Sequence, residues 1–286
     1  MAKVIATISL KGGVGKTTVT AGLAEYMAAE FGQRVLLIDL DSQINLTTMM
    51  ISEERWLELN TNGRTLATLF SDAVKGTRYF RLDEAIERGV SPVKKVNSVD
   101  LLASSLDLIE VQEDLSALRV EGRVPDGGTG FLREAIEPVL DFYDYVLIDC
   151  PPNIGPITLN GLAAADAYII PTIPDVLSTY GSIPQIQTRV RKIGHEIGRT
   201  IVELGVVITK YKANSAVHRS TAMRLRRDPT IQHVLPSYIN EANSVAAAAE
   251  FASYGTLRVK YGNSGQFDQF RGLTMDVMTE AQEKIR

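Results

Sequence analysis

Residues 11–18 read KGGVGKTT, a run of glycines interrupted by two lysines and closed by two threonines. Glycines at this spacing let successive backbone N–H groups turn toward an anion, and a helix that starts here adds its positive dipole end. Lys16 is placed to neutralise the β- and γ-phosphates of a nucleotide, and Thr17 to offer a hydroxyl to Mg²⁺. The pattern therefore predicts a phosphate loop for ATP and Mg²⁺. Its nucleotide-binding candidates are Lys11, Gly12, Gly13, Val14, Gly15, Lys16, Thr17 and Thr18.

Acidic residues follow two further apolar runs. RVLLID at residues 34–39 ends in Asp39, with Asp41 two positions later, and DYVLID at residues 144–149 ends in Asp149. Positions two apart in an extended chain point to the same side, so Asp39 and Asp41 would face one ligand together. Two carboxylates beside a phosphate are costly unless a cation or an ordered water separates them. Asp149 is suited to hold Mg²⁺ through water, while the alternative for Asp39 and Asp41 is simple exposure to solvent at a strand end.

Short runs rich in Val, Ile and Leu alternate with helical patterns along the chain. Near-continuous apolar strands of this kind indicate a parallel sheet that helices cover on both faces. The predicted fold class is therefore α/β, a P-loop NTPase with a mostly parallel, twisted sheet. Ligands of such sheets bind at the carboxyl ends of the strands, so the phosphate loop and the three acids should share one crevice. The predicted strands are residues 3–9, 34–39, 100–103, 144–149, 168–171 and 203–209, and the predicted helices are residues 17–31, 130–142, 158–164 and 182–197.

Two segments interrupt this alternation. Residues 51–97 are more polar and lack clear strand patterns, so we interpret them as a helical insertion into a single domain spanning residues 1–286. Residues 120–130 (VEGRVPDGGTG) are predicted to form a loop whose glycines serve turns rather than phosphate binding.

Composition indicates a cytoplasmic protein in a reducing environment. Of the 286 residues, 45% are hydrophobic and 22% charged, and Cys150 is the single cysteine. No run reaches the roughly 18–20 apolar residues of a membrane-spanning helix, and the first apolar run is too short for a secretory signal. One cysteine excludes an internal disulfide, and with three scattered histidines a structural zinc site is not expected. Cys150 is interpreted as a small buried residue, with a reactive thiol as the alternative.

Positive charge is concentrated in residues 189–227, which hold ten Lys or Arg and two acids, although the net charge of the chain is −4. In residues 217–227, helical spacing places Arg219, Arg226 and Arg227 near one face, with Arg224 at its edge. Such a face attracts phosphate backbones without reading sequence, and the alternative is an ordinary solvated helix. The candidates for binding DNA are Lys210, Lys212, Arg219, Arg224, Arg226 and Arg227.

The phosphate loop and the acidic segments resemble those of one family. KGGVGKTT resembles the deviant Walker A loop of the ParA/MinD superfamily, with Lys11 as the extra lysine. DLDSQ at residues 39–43 resembles the D-x-D-P-Q switch I of ParA proteins, although Ser42 replaces the usual proline. YVLIDCPP resembles the Walker B strand and switch II of the same family. Further blocks match in the expected order, so that the resemblance covers nearly the whole chain: residues 100–115, 171–186 and 205–221.

The resemblance implies an ATP-bound homodimer in which Lys11 of each subunit reaches the phosphates bound by its partner. Asp41 would orient the attacking water, while Thr17, Asp39 and Asp149 would support Mg²⁺. The alternative for Lys11 is a contact with its own nucleotide only. The catalytic candidates are Lys11, Lys16 and Asp41.

The family's adenine pocket draws on the stretch after the last core strand. The matching candidates here are Thr209, Lys210, Pro236 and Tyr238. ParA dimers also bind DNA nonspecifically through a basic surface. Two arginines of the family's P-R-N-V-R-type stretch have no counterpart in residues 236–244, so the DNA face is expected to rest on residues 210–227.

The function implied is a Mg²⁺-dependent ATPase, associated with the nucleoid, that segregates or positions a cargo. The cargo would be a plasmid, a chromosome or a protein body such as a carboxysome, and a ParB-like or adaptor protein would stimulate hydrolysis. The alternative is a MinD-like ATPase that cycles on a membrane, which needs a basic amphipathic C-terminal helix. The chain ends in GLTMDVMTEAQEKIR, with acids among the bases, so we expect this helix to pack on its own domain or on the dimer partner and expect no stable membrane association. A biosynthetic ligase is a third alternative, whereas one cysteine excludes an iron–sulfur electron carrier.

Overall fold

A computed structural model describes residues 1–122, 128–262 and 265–285, with the backbone alone for residues 176–180. Its described strands form one eight-stranded sheet in the order β3-β4-β2-β5-β1-β6-β7-β8. All described strand pairs in this sheet are parallel except the antiparallel pair β3–β4 at one edge. The predicted α/β fold with a mostly parallel sheet is confirmed. The strands are β1 (Lys3–Thr7), β2 (Val35–Asp39), β3 (Ile86–Glu87), β4 (Val99–Leu102), β5 (Tyr145–Asp149), β6 (Ala167–Thr172), β7 (Val202–Tyr211) and β8 (Val234–Asn240).

Helices cover both faces of the sheet, and a separate buried apolar cluster lies under each layer. The first cluster joins one face of the sheet to α4, α6, α7, α8 and α9, and the second joins the other face to α1, α2, α12 and α13. The described helices are α1 (Lys16–Phe31), α2 (Asn45–Met50), α3 (Glu53–Thr61), α4 (Leu66–Lys75), α5 (Leu82–Ala85), α6 (Leu108–Val120), α7 (Phe131–Ile136), a 3-10 helix (Glu137–Phe142), α8 (Pro156–Ala164), α9 (Val176–Glu196), α10 (Ala216–Leu225), α11 (Asn243–Ala247), α12 (Leu257–Tyr261) and α13 (Gln266–Lys284).

Strand β8 was not predicted from the sequence because Pro236 interrupts its apolar pattern. Proline cannot donate a ladder hydrogen bond and is therefore confined to edge strands. The structure places β8 at the edge of the sheet, beside β7, where that missing donor is tolerated.

The segment predicted as a helical insertion contains α3, α4 and α5, together with the two-residue strand β3. In the predicted loop at residues 120–130, residues 123–127 lie outside the described part of the chain. Strand β3 pairs Ile86 with Leu102 and Glu87 with Leu101, so the insertion also adds the edge of the sheet.

The C-terminal helix α13 packs on its own domain, as expected. Its buried face includes Phe270, Leu273 and Val277, and the ring of Phe270 lies where a Cβ at Gly22 of α1 would be only 2.4 Å away. Helices α1 and α13 therefore approach closely because Gly22 has no side chain. Among the described residues, no helix combines the length and the apolar character needed to span a bilayer.

Candidate functional site

The phosphate loop connects β1, in the middle of the sheet between β5 and β6, to the first turn of α1. Gly13 and Gly15 have positive φ angles of 72° and 86°, a backbone conformation that strains residues with a Cβ. Val14 between them is buried, and its carbonyl accepts a hydrogen bond of 2.6 Å from the hydroxyl of Thr209 on β7. The loop is thus held in place by a strand 195 positions away in the chain.

Lys16, Thr17 and Asp149 meet at the start of α1. The Thr17 hydroxyl donates to Asp149 Oδ2 at 2.7 Å, and Lys16 is 7% exposed. Burial raises the pKa of Asp149 to about 6, an effect that the charge of Lys16 and the hydrogen bond from Thr17 oppose. A buried hydroxyl next to a buried carboxylate is the pair of oxygens expected beside a nucleotide-bound cation.

Asp39 and Asp149 end neighbouring strands and pair directly in register. Asp39 is fully buried: its Oδ1 accepts from the Asp41 amide at 3.1 Å, and its Oδ2 accepts from the amide and the hydroxyl of Thr47 at 2.9 and 2.8 Å. Burial and then the charge of Asp149 raise the pKa of Asp39 to about 8, although the bonds from Thr47 and Asp41 oppose this rise. Asp39 therefore anchors the segment that follows β2.

Asp41 lies just beyond β2 and is 6% exposed. Its Oδ1 accepts a hydrogen bond from the Gln43 amide at 3.0 Å, and its carbonyl accepts one from the Ser104 hydroxyl at 2.8 Å. The alternative that Asp39 and Asp41 are solvent-exposed acids is wrong, because both side chains lie against the phosphate loop edge of the sheet.

Lys11 takes a different direction from the rest of the loop. Its Nζ pairs with Asp175 Oδ2 at 2.8 Å, just beyond β6, and 42% of its side chain is exposed. The cleft described next is not lined by Lys11. In this subunit, the extra lysine is held at the surface beside the loop.

A cleft of about 510 Å³ opens above the loop, and we call it the nucleotide cleft. One wall holds Thr209, Lys210 and the chain from Ile239 onward, as the sequence predicted only in part. Pro236 and Tyr238, predicted to contact adenine, do not line it: the Tyr238 ring packs instead against Tyr211, with centroids 4.8 Å apart. The lining residues are Gly12, Gly13, Gly15, Lys16, Thr17, Thr18, Val19, Asp41, Gln43, Asn45, Thr48, Met49, Pro152, Thr209, Lys210, Ile239, Asn240, Glu241, Ala242, Asn243, Val245, Ala246, Ala249 and Phe270.

The donor set of the cleft fits Mg²⁺ carried by a nucleotide. In the described part of the chain, no group of three or more His, Cys, Asp or Glu side chains could hold a metal ion. Mg²⁺ in nucleotide enzymes takes one or two protein oxygens and completes its shell with phosphates and water. The Thr17–Asp149 pair supplies such a set, with Asp39 behind it.

The six cationic candidates at residues 210–227 are all exposed, and we call them the basic surface. Lys212 pairs with Glu241 of the cleft at 2.6 Å, while Arg219 and Arg226 each donate to a backbone carbonyl. Helix α10 ends at Leu225, so the predicted helical face is wrong for Arg226 and Arg227, which follow it. The chain turns here because Asp228 precedes a proline, which disfavours helical backbone at that position.

The basic segment at residues 189–227 does not form one surface. Arg199 lies beside Arg133 and binds Asp166 at 3.3 Å, and it also donates to the carbonyls of Ala163 and Ala165 after α8. Its charge is used inside the fold, and burial lowers its pKa.

Cys150 is fully buried behind the cleft, and burial raises the pKa of its thiol. A high pKa leaves little thiolate, which is the reactive form, so the interpretation as a small buried residue is favoured over a reactive thiol.

Two residues of this edge were missed from the sequence: Ser104 and Asp175. Ser104 follows β4 and Asp175 follows β6, the same position relative to a strand that singled out Asp41 and Asp149. The rule that ligands lie at the carboxyl ends of parallel strands would have found both.

A protein-family model described as an AAA domain, AAA_31, matches residues 2–202. An uncharacterized protein of Mycobacterium tuberculosis is 34% identical over 228 residues, which cover 78% of this chain and 63% of that relative. The chromosome-partitioning ATPase Soj of Thermus thermophilus is 29% identical over 283 residues, which cover 98% of this chain and 96% of Soj.

Solved structures share the fold at lower identity. Cobyrinic acid a,c-diamide synthase from Mycobacterium smegmatis, with an ATP analogue and magnesium, has a TM-score of 0.74 at 23% identity, covering 100% of this chain and 98% of that chain. A variant of McdA of Cyanothece in complex with ATP has a TM-score of 0.72 at 22% identity, covering 98% of this chain and 96% of that chain.

The phosphate loop, the acids at the strand ends and this sheet define a P-loop ATPase. The chain belongs to the AAA-domain family and, within it, to the ParA-type partition ATPases of which Soj is a member.

Proposed function

We propose that this chain is a partition or positioning ATPase that closes into an ATP-bound homodimer. It holds nucleoid DNA without sequence preference and moves a cargo when a ParB-like or adaptor protein stimulates hydrolysis. The observation that carries the proposal is the position of Lys11, which stands outside the lining of its own nucleotide cleft with a partly exposed side chain.

ATP binding is assigned to the loop and the first turn of α1. The loop amides and Lys16 would hold the phosphates, and Thr17 and Asp149 would hold the cation, with Asp39 in its outer shell. Bound Mg²⁺ would neutralise charge on the β- and γ-phosphate oxygens. The likeness to Soj, together with the ligands in the names of the related structures, supports ATP and Mg²⁺ as the occupants.

The adenine would lie against the wall that includes Thr209, Lys210 and residues 239–245, rather than Pro236 and Tyr238. Asn240 and Asn243 lie along this wall and offer amide groups that can read a base edge. Lys210 has a φ of 47°, a left-handed conformation that bends the chain at the rim of the cleft.

Hydrolysis is assigned to Asp41, which would orient the water that attacks the γ-phosphate. A residue that only orients water must be held rigidly, and the backbone of Asp41 is bonded at both its N–H and its carbonyl. Lys11 of each subunit would meet the phosphates bound by the other subunit, so loss of the γ-phosphate would loosen the dimer.

The basic surface would hold DNA in the dimer. Lys210 and Glu241 line the cleft, and Lys212 of the basic surface pairs with Glu241, so the two regions adjoin. A nucleotide in the cleft could therefore influence this surface directly. DNA binding that depends on ATP would place the protein on the nucleoid.

The test is a gel shift with nonspecific duplex DNA and a co-sedimentation with anionic liposomes, each with ATP, with ADP and without nucleotide. We expect DNA binding with ATP only, and a dimer with ATP in size-exclusion chromatography. Liposome binding with ATP would support the membrane-cycling alternative, and turnover of a small molecule without any DNA effect would support a biosynthetic enzyme.

Lys11→Ala and Asp175→Asn separate closure from binding. Lys11→Ala should bind ATP and remain a monomer, whereas Asp175→Asn frees Lys11 from its carboxylate partner and should still dimerise. A Lys11→Ala protein that dimerises fully with ATP would show that Lys11 serves only its own nucleotide.

A further inference from the structure

Ser104 lies in the loop between β4 and α6 and is completely buried. Its hydroxyl donates to the carbonyl of Asp41 at 2.8 Å, and its amide donates to the hydroxyl of Thr47 at 3.0 Å. One small residue thus contacts both ends of the segment that carries Asp41.

The other contacts of this segment complete a closed set of hydrogen bonds. The Asp41 amide donates to Asp39 Oδ1 at 3.1 Å, and the Thr47 hydroxyl donates to Asp39 Oδ2 at 2.8 Å. The peptide groups on both sides of Asp41 are therefore fixed, one by Asp39 and the other by Ser104. With the Gln43 amide bonded to its Oδ1 at 3.0 Å, the carboxylate of Asp41 has a defined direction.

Ser104 also connects this set to the insertion. The indole N–H of Trp56, on α3, donates to the carbonyl of Ser104 at 3.0 Å. Trp56 is the single tryptophan of the chain, so its emission reports on the surroundings of Ser104. Hydrogen bonds through one residue link the insertion helix to the backbone of Asp41.

We propose that Ser104 is a positioning residue for Asp41 and that Trp56 tethers this position to the insertion at residues 51–97. The hydroxyl of Ser104 holds the Asp41 carbonyl, and so keeps the carboxylate aimed into the nucleotide cleft. Movement of Asp41 when nucleotide binds passes through Ser104 to Trp56. This inference rests on the proposed role of Asp41 in hydrolysis.

The kinetic test compares Ser104→Ala with Ser105→Ala. Ser105 is the adjacent residue and equally buried, but its hydroxyl accepts from the Asp107 amide and does not touch Asp41. We expect Ser104→Ala to lower kcat between about threefold and tenfold, the effect of one buried hydrogen bond, with KM for ATP unchanged. Ser105→Ala should keep the wild-type kcat. Equal kcat values in the two variants would overturn the proposal.

A graded variant and a stability measurement guard against misfolding. Ser104→Cys keeps a weak donor at the same position, so its kcat should lie between those of the wild type and Ser104→Ala. Thermal melting and binding of a fluorescent ATP derivative should be measured on every variant. Should Ser104→Ala not fold, Ser104→Cys carries the test, and a wild-type kcat for that variant together with a lowered melting temperature would assign Ser104 a structural role only.

The spectroscopic test uses Trp56. Addition of ATP and Mg²⁺ should change the Trp56 emission in the wild type and in Ser105→Ala, and this change should fall by at least half in Ser104→Ala. An emission that responds equally in all three proteins, or in none, would overturn the link from Asp41 to the insertion.

Asp41→Ala in the same assays separates this inference from the proposed function. Full turnover by Asp41→Ala would remove the proposed role of Asp41 itself. Loss of turnover in Asp41→Ala with wild-type turnover in Ser104→Ala would leave that role intact and overturn only the positioning by Ser104.

Discussion

The nucleotide cleft draws its chemical groups from the ends of several strands, whereas the basic surface takes all of its candidates from residues 210–227. Lys16, Asp39, Asp41 and Asp149 are each less than a tenth exposed and have defined partners. The side chains of the basic surface are exposed, and those of Arg219 and Arg226 have only backbone carbonyls as printed partners.

This difference determines how each region responds to substitution. In the cleft, distances and directions carry the chemistry, and a buried group that loses its partner retains the full cost of desolvation. On the basic surface, the density of charge carries the interaction, and each side chain adds a small, salt-dependent share. Few positions with large effects are therefore expected in the cleft, and many positions with small effects on the surface.

The largest effect is expected for Lys16→Ala. Lys16 is buried beside Asp149, so its removal deletes the positive charge facing the phosphates and leaves a buried carboxylate behind. ATP affinity should fall at least about 100-fold, the effect of two charge-assisted hydrogen bonds, in isothermal titration calorimetry. Lys11→Ala is the matched control and should keep its affinity within a few fold. Retained affinity in Lys16→Ala would mean that this loop does not bind the phosphates.

Asp41→Ala should affect turnover rather than binding. The side chain orients water in the proposed mechanism, and positioned groups of this kind contribute at least about 100-fold to rate. We expect phosphate release to fall by that factor while ATP affinity and the ATP-dependent dimer persist. A parallel loss of affinity would show that Asp41 shapes the cleft instead of the reaction.

The core of the cleft could be predicted from the sequence because each of its groups follows an apolar strand. The phosphate loop, Asp39 and Asp149 needed only the rule that parallel strands end on one edge. The pair of Lys11 with Asp175, 164 residues apart, needed the order of the strands, which the sequence does not contain.

Other contacts depend on packing that no local pattern reports. Glu25 on α1 is fully buried against Lys260 at 2.9 Å and against the hydroxyls of Tyr261 and Ser91. A glutamate and a lysine in separate helices are ordinary surface residues in a helical pattern. Their burial follows from α12 folding back over α1, which fixes the C-terminal segment beside the phosphate-loop helix.

The basic surface was predicted less well for a related reason. Charge counts identify a positive segment but not which side chains share a face. The end of α10 at Leu225 separates Arg226 and Arg227 from Arg219, and Arg199 is committed to Asp166.

Removing Arg224 and Arg227 together should weaken DNA binding more than tenfold at low salt. These two exposed arginines can be replaced without cutting the backbone contacts of Arg219 and Arg226. If each contacts one phosphate, the slope of log affinity against log salt should fall by about 2. The charge-matched control is Lys75→Ala with Lys94→Ala, two exposed lysines of the insertion, which should leave the slope unchanged. An equal loss in both double variants would reduce the surface to net charge alone.

The smallest effect concerns the pH dependence of stability without nucleotide. Burial raises the pKa of Asp39 to about 8, so between its unfolded value and pH 8 the folded protein binds a proton that the unfolded chain has released. Stability is then lost as pH rises toward the folded pKa. Between pH 6 and pH 7, where Asp149 with its pKa of about 6 contributes less, the unfolding free energy should fall by about 1 kcal/mol.

Denaturant unfolding at several pH values measures this slope, and Asp39→Asn provides the comparison. The amide cannot ionise but can still accept from Thr47, so the variant should be less stable overall and nearly flat across the same interval. Because the three histidines are common to both proteins, the difference between the two curves isolates Asp39. Parallel curves would mean that Asp39 is already ionised at pH 6, and that its bonds to Thr47 and Asp41 outweigh its burial beside Asp149.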